Sequence, residues 1–129
     1  MVPLPVRQMV RERAGNTCEY CRLPQHLSPM AALQIEHIIP IKHGGSSEPD
    51  NLALACISCN LHKGSNLTGI DPVMDEITPL FNPREDLWEE HFVVSGIEIL
   101  GKTPVGRATV RVLNMNSADR LVVRLVGDG

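Results

Sequence analysis

Hydrophobic positions along this 129-residue chain follow two different periods. After Pro5, the segment VRQMVRERA sets Val6, Met9, Val10 and Arg13 on one stripe and Arg7 and Arg11 on another. Gly15-Asn16 stops it, so the spacing predicts a short helix over about residues 5–14. From Leu33 the period changes to two: Leu33, Ile35, His37, Ile39 and Ile41 alternate as in a half-buried strand. The polar segment KHGGSSEPD, with Gly44-Gly45 and Pro49, cannot continue it and reads as a loop of roughly ten residues, long for a hairpin. Leu52 to Ala55 make a second strand, and a helix begins near Ser58. The order is strand, wide loop, strand, short helix.

Beyond Lys63 the signals are weaker. GSNLTGIDP is rich in turn residues and closes the first unit. Asn82-Pro83-Arg84-Glu85 carries an Asn N-cap, Pro at the first helical position and Glu at the third, predicting a short helix to about Glu90. FVVSGIEIL predicts a hairpin about Ser95-Gly96. Thr103-Pro104 caps a helix in which Val105, Ala108, Thr109, Val112 and Leu113 share a face, and Ser117 opens a last helix with Ala118, Leu121, Val122, Leu125 and Val126 on the same pattern. Both apolar stripes are expected to face the core, leaving Arg107, Arg111, Arg120 and Arg124 on the opposite faces.

Composition adds bounds. The chain has the size of one small domain, or of a domain with an appended subdomain. Aromatics are scarce (two Phe, one Tyr, one Trp), so a core of Val, Ile and Leu is expected. No run is long enough to cross a bilayer, and MVPLPVRQMV lacks a signal-peptide pattern, so a cytoplasmic location is expected. The net charge of −3 argues mildly against a nucleic-acid partner. Its distribution reverses that reading: eight acids and one base lie between Asp71 and Glu98, while basic residues gather at both ends. Such ends are compatible with a DNA-binding face.

The four cysteines fall in two pairs, Cys18-x-x-Cys21 and Cys56-x-x-Cys59. In a cytosolic chain this reads as one tetrahedral zinc site, ahead of a redox pair or two disulfides. Thirty-four residues separate the pairs, and the whole strand–loop–strand unit lies between them. One zinc would pin both ends of a hairpin that is marginal alone. Four thiolates leave no position for water, so this metal is structural. Chemistry would need a second, harder ion. His37 can serve as a general base. Glu36 and the amide oxygen of Asn60 suit Mg²⁺ or Mn²⁺. Lys63, one turn beyond Asn60, could hold a phosphate. A strict pleat sends Glu36 and His37 to opposite faces, so both serve only where the strand ends or kinks.

The motifs CEYC, IEHIIP, HGGSSEPDNL and LACISCNLHKG, over residues 18–64, together resemble the HNH endonucleases, the zinc-braced branch of the ββα-metal (His-Me finger) fold. The resemblance implies an α+β protein: a ββα core with a four-cysteine zinc site, an N-terminal helix, and a C-terminal extension of a hairpin and helices. It places the nuclease domain in residues 1–68 and the extension, a DNA-contacting candidate, in 69–129. It implies a phosphodiesterase acting on DNA, RNA not being excluded, with structural zinc and catalytic Mg²⁺ or Mn²⁺. His37 becomes the general base, Asn51 the brace of the loop that orients it, and Asn60 a metal ligand. Glu36 stands where the family commonly has an Asp ligand. A catalytically silent, zinc-braced nucleic-acid-binding module is the alternative.

Overall fold

The computed structural model describes residues 2–128. Pro5 in the first turn and left-handed Gly15 and Asn16 after the last bound helix α1 (Leu4–Arg13). Val10 is fully buried under it, with Val6 and Met9 packed alongside. Two of its arginines are fasteners rather than free charges. Arg11 Nη1 donates to Leu33 O (2.7 Å), and Arg13 Nη2 donates to Leu52 O (2.7 Å), so α1 ties down the residue just before the first strand that follows and the first residue of the second.

Those strands, β1 (Gln34–His37) and β2 (Leu52–Ala55), pair antiparallel, with Glu36 opposite Ala53 and His37 opposite Leu52. All four residues of β2, the apolar run LALA, are buried. Its outer edge would expose Leu54 to competing strands. Glu19 closes it: Glu19 N donates to Leu54 O and Leu54 N to Glu19 Oε2, each at 2.8 Å. Helix α2 (Ile57–Lys63) follows, completing the ββα unit.

The expected alternation fails beyond Ile35. Glu36 and Ile38 are buried, whereas Ile39 and Ile41 are exposed. Pro40 and the loop end the strand at His37, and the inward carboxylate is tolerated because a lysine meets it, as described below.

The second half contains a pair that the turn-rich composition concealed. Strand β3 (Thr68–Ile70) pairs with β4 (Ile77–Pro79) around a tight loop closed by Asp71. The helix expected over 83–90 is instead a turn at Asn82, whose Oδ1 accepts from Arg84 N, followed by a one-turn helix α3 (Trp88–His91). Local side-chain bonding has captured Asn82, as Asn commonly does in turns. The hairpin of β5 (Phe92–Ser95) and β6 (Glu98–Gly101) turns at Gly96-Ile97, one residue later than expected, with Gly96 at φ 63°. Thr103 caps α4 (Pro104–Val112), its hydroxyl accepting from Gly106 N at 3.0 Å. Gly101 and Gly106 allow this helix to lie on β6: a Cβ on Gly106 would stand 2.0 Å from His91 O. The scarce aromatics form one chain, Tyr20–Phe81–Phe92–Trp88, that joins the first cysteine pair to the extension.

Asp71 is fully buried and bound by Arg107 through two bonds of 2.8 Å. The guanidinium holds its carboxyl down to about 2. A depressed carboxylate stabilises the fold above the unfolded value of about 3.9 and loses that contribution as pH falls toward 2. Melting temperature should therefore drop over that acid window. Asp71→Asn should start lower and be flatter there, which a pH series of thermal melts will read.

Helix α5 (Ala118–Asp128) is amphipathic, but inverted relative to expectation. Val122, Leu125 and Val126 are exposed. Arg124 instead turns inward, donating to Ile97 O, Met115 O and Asn116 Oδ1. Arg120 points at a cysteine of the first unit. Carbonyl and sulfur acceptors draw these guanidinium groups in while their stems lie along apolar surface. With Arg107 on Asp71, three of the four arginines expected opposite the apolar stripes are engaged by partners within the fold; of the four, Arg111 alone is exposed. Among the described residues no helix is long and apolar enough to cross a membrane.

Candidate active site and metal centre

The two cysteine pairs meet as their spacing predicts. The sulfurs of Cys18, Cys21, Cys56 and Cys59 all lie within 4.8 Å of one another and are buried. Each pair begins with a sulfur that accepts the backbone N–H of its second cysteine: Cys21 N to Cys18 Sγ at 3.5 Å, and Cys59 N to Cys56 Sγ at 3.4 Å. Cys56 is also the N-cap of α2, so the helix start and the metal corner are one structure. A tetrahedral zinc with Zn–S of about 2.3 Å needs sulfurs about 3.8 Å apart. Cys21 and Cys56 stand at 3.6 Å. Bonds from its three neighbours lower the Cys56 thiol, while burial pushes that of Cys18 up. Four thiolates together need a cation in their midst, and the donor set fits zinc in a closed structural site.

Arg120 Nη1 approaches Cys56 Sγ at 3.5 Å. Sequence reading missed this contact because the stripe pattern put Arg120 in solvent. Partners of a ligand typically tune metal affinity by 10–100-fold. Arg120→Gln is expected to loosen the metal by about that factor, read by competition with a chromophoric chelator, with Arg111→Gln as the exposed control.

His37 ends β1, half-buried, its Nε2 3.0 Å from Ser47 Oγ. Asn51 lies beneath the loop between them. Its Oδ1 accepts from Ile39 N (2.9 Å), and its Nδ2 donates to Ile39 O (3.0 Å) and Ser46 O (2.7 Å). Its own carbonyl accepts from Ile38 N at 2.9 Å. One buried side chain thus ties the exit of β1 to the loop that carries Ser47. Gly45 is needed for this closeness, since a Cβ there would fall 1.7 Å from Ile39 O. No pattern in the sequence singled out Ser47.

Glu36 and Lys63 are not placed as expected. Glu36 is 4% exposed and faces inward. Its Oε2 accepts from Tyr20 OH (2.7 Å), and its Oε1 meets Lys63 Nζ at 2.5 Å. Burial pushes this carboxyl up, while the Lys63 charge and the Tyr20 hydroxyl pull it back. Lys63 is equally buried, at 2%. In this arrangement the Glu36 carboxylate faces Lys63 and Tyr20 rather than the surface, and the Lys63 ammonium faces Glu36 and the carbonyls of His37 and Ile38. The strict pleat decided this: Glu36 and His37 project to opposite faces. Asn60 is half-exposed on α2 and donates from Nδ2 to Gln34 Oε1 at 2.6 Å. His43 and His62 are exposed and bond to backbone carbonyls.

The family model described as HNH endonuclease matches residues 18–66, the segment from the first cysteine to just beyond α2. Septu protein PtuB of Bacillus thuringiensis is 29% identical over 125 residues, which cover 91% of this chain and 43% of that protein. The chain thus spans less than half the length of the curated relative it matches. No solved structure matches it. The four-cysteine corner, the antiparallel pair and the helix, in this order, make up the segment 18–66 that matches the HNH endonuclease family model.

Proposed function

We propose that the protein is an endonuclease hydrolysing phosphodiester bonds in DNA, with His37 as the general base. The observation that carries the reading is the half-buried imidazole at the end of β1, bonded to Ser47 and backed by the Asn51 brace, within an HNH segment. Hydrolysis needs water deprotonated beside the phosphorus, and an imidazole held at a strand end can take that proton. Ser47 Oγ, 3.0 Å away, orients the ring, and Asn51 keeps the loop in place.

A divalent ion would neutralise charge on the phosphate. The pair Glu36 and Asn60 does not fit one in this arrangement, because Glu36 is engaged with Lys63 and Tyr20. Asn60 is the remaining candidate. This engagement also favours the second reading, a zinc-braced nucleic-acid-binding module without catalysis.

Supercoiled plasmid incubated with Mg²⁺, Mn²⁺ or chelator separates the two. The nuclease reading expects metal-dependent relaxed or linear product, absent with His37→Ala. Binding without cleavage in any metal supports the module and overturns the nuclease. A parallel assay on RNA tests the substrate class.

A further inference from the structure

We propose that Lys63 is a positioning residue for His37: its ammonium, held by Glu36 and through it by Tyr20, clamps the carbonyls of His37 and Ile38 and so fixes the strand end from which the imidazole projects. An ammonium has three N–H donors and no acceptor. Lys63 Nζ finds three oxygens: Glu36 Oε1 at 2.5 Å, Ile38 O at 2.8 Å and His37 O at 3.4 Å. With its side chain 3% exposed, the ammonium lies out of reach of a phosphate at the surface. Of the carboxylate oxygens, Oε2 takes the Tyr20 hydroxyl, while Oε1 faces the Lys63 ammonium as an ion pair and has no hydrogen-bond donor among the described residues.

The consequence for His37 follows from the backbone around it. Ile38 N donates to Asn51 O, and Ile39 N and O bond the Asn51 amide. Lys63 takes the carbonyls of His37 and Ile38 from the other side. Every backbone polar group from His37 O to Ile39 O is thereby engaged, by Asn51 from one side and Lys63 from the other. The ring retains only its own torsions, and Ser47 meets it. Tyr20 lies between Cys18 and Cys21, is 1% exposed, and accepts Trp88 Nε1 at its carbonyl (2.7 Å). The clamp is thus rooted in the metal corner, which gives the structural metal a physical route to the imidazole.

This inference rests on His37 as the base, but its test separates the two. A single Lys63→Met would leave Glu36 buried and unpaired, so the informative variant is Glu36→Gln with Lys63→Met, which removes both charges together. Zinc content and circular dichroism should match wild type. Small displacements of a catalytic group cost on the order of 10²-fold in rate, so kcat should fall by about that factor with KM unchanged. Had Lys63 held a phosphate, the slope of log affinity against log salt would shrink by about 0.9; an unchanged slope is expected. Independently of any cleavage, the His37 ring resonances in the zinc-loaded double variant should move toward those of a freely rotating histidine and lose their contacts to Ser47. Wild-type ring resonances in the double variant would overturn the clamp whatever its kcat, as would a reduced salt slope. If wild type itself cleaves nothing, the base reading fails while the ring resonances still decide the clamp.

Discussion

Replacing any one of Cys18, Cys21, Cys56 or Cys59 by Ser is expected to unfold residues 18–66. The hairpin has only four residues in each strand. A two-stranded ribbon of that length is marginal in water. Both its ends are fixed by the metal corner: Cys18 and Cys21 through Tyr20 and Glu19, and Cys56 and Cys59 by opening α2. Binding of a structural zinc contributes about 10–16 kcal/mol in small domains, against a total stability of about 5–15 kcal/mol for a typical protein. Loss of one ligand removes much of a contribution as large as the whole. Elemental analysis of protein purified without added metal should give one zinc per chain, and circular dichroism of the Ser variants should lose the native signal. A metal-free protein that is fully folded would refute the expectation.

His37→Ala should behave in the opposite way, lowering cleavage by about 10²–10⁴-fold with little change in melting temperature or zinc content. The ring is half-buried and makes one side-chain hydrogen bond among the described residues, to Ser47, so little of the fold depends on it. Asn51→Ala is the instructive contrast. Asn51 is buried and makes three side-chain hydrogen bonds that join β1 to the loop. Losing them should cost on the order of 2–4 kcal/mol and reduce cleavage too, because the loop carrying Ser47 is released. Melting temperature measured beside single-turnover cleavage distinguishes them. Equal cleavage by wild type and the His37 variant would remove His37 as base, and an Asn51 variant of native stability would remove the brace.

Spacing alone made the order strand, loop, strand, helix legible over residues 33–63, because hydrophobic period and cysteine pairing are both one-dimensional signals. The same holds for the capped start of α4, where Thr103-Pro104 acts on its own neighbours. Residues 68–79 were not legible as strands. Two three-residue strands carry too little periodicity, and Asp71, which closes their loop, finds its partner Arg107 36 positions away.

What the sequence by itself determined is the metal corner and the ββα unit between its two halves, since a CxxC pair sets its own local geometry and a run such as LALA must be buried. Tertiary structure alone decided which charges lie inside. An amphipathic pattern assigns every charged residue to solvent, because it weighs transfer from water and knows nothing of a partner. Glu36 and Lys63, Asp71 and Arg107, and Arg120 beside Cys56 are far apart in sequence, and each buried charge is stabilised by an opposite charge or a polarisable acceptor that only folding supplies. Those pairings place Glu36 and Lys63 as an internal ion pair behind His37, and turn the arginine face of α5 toward the core.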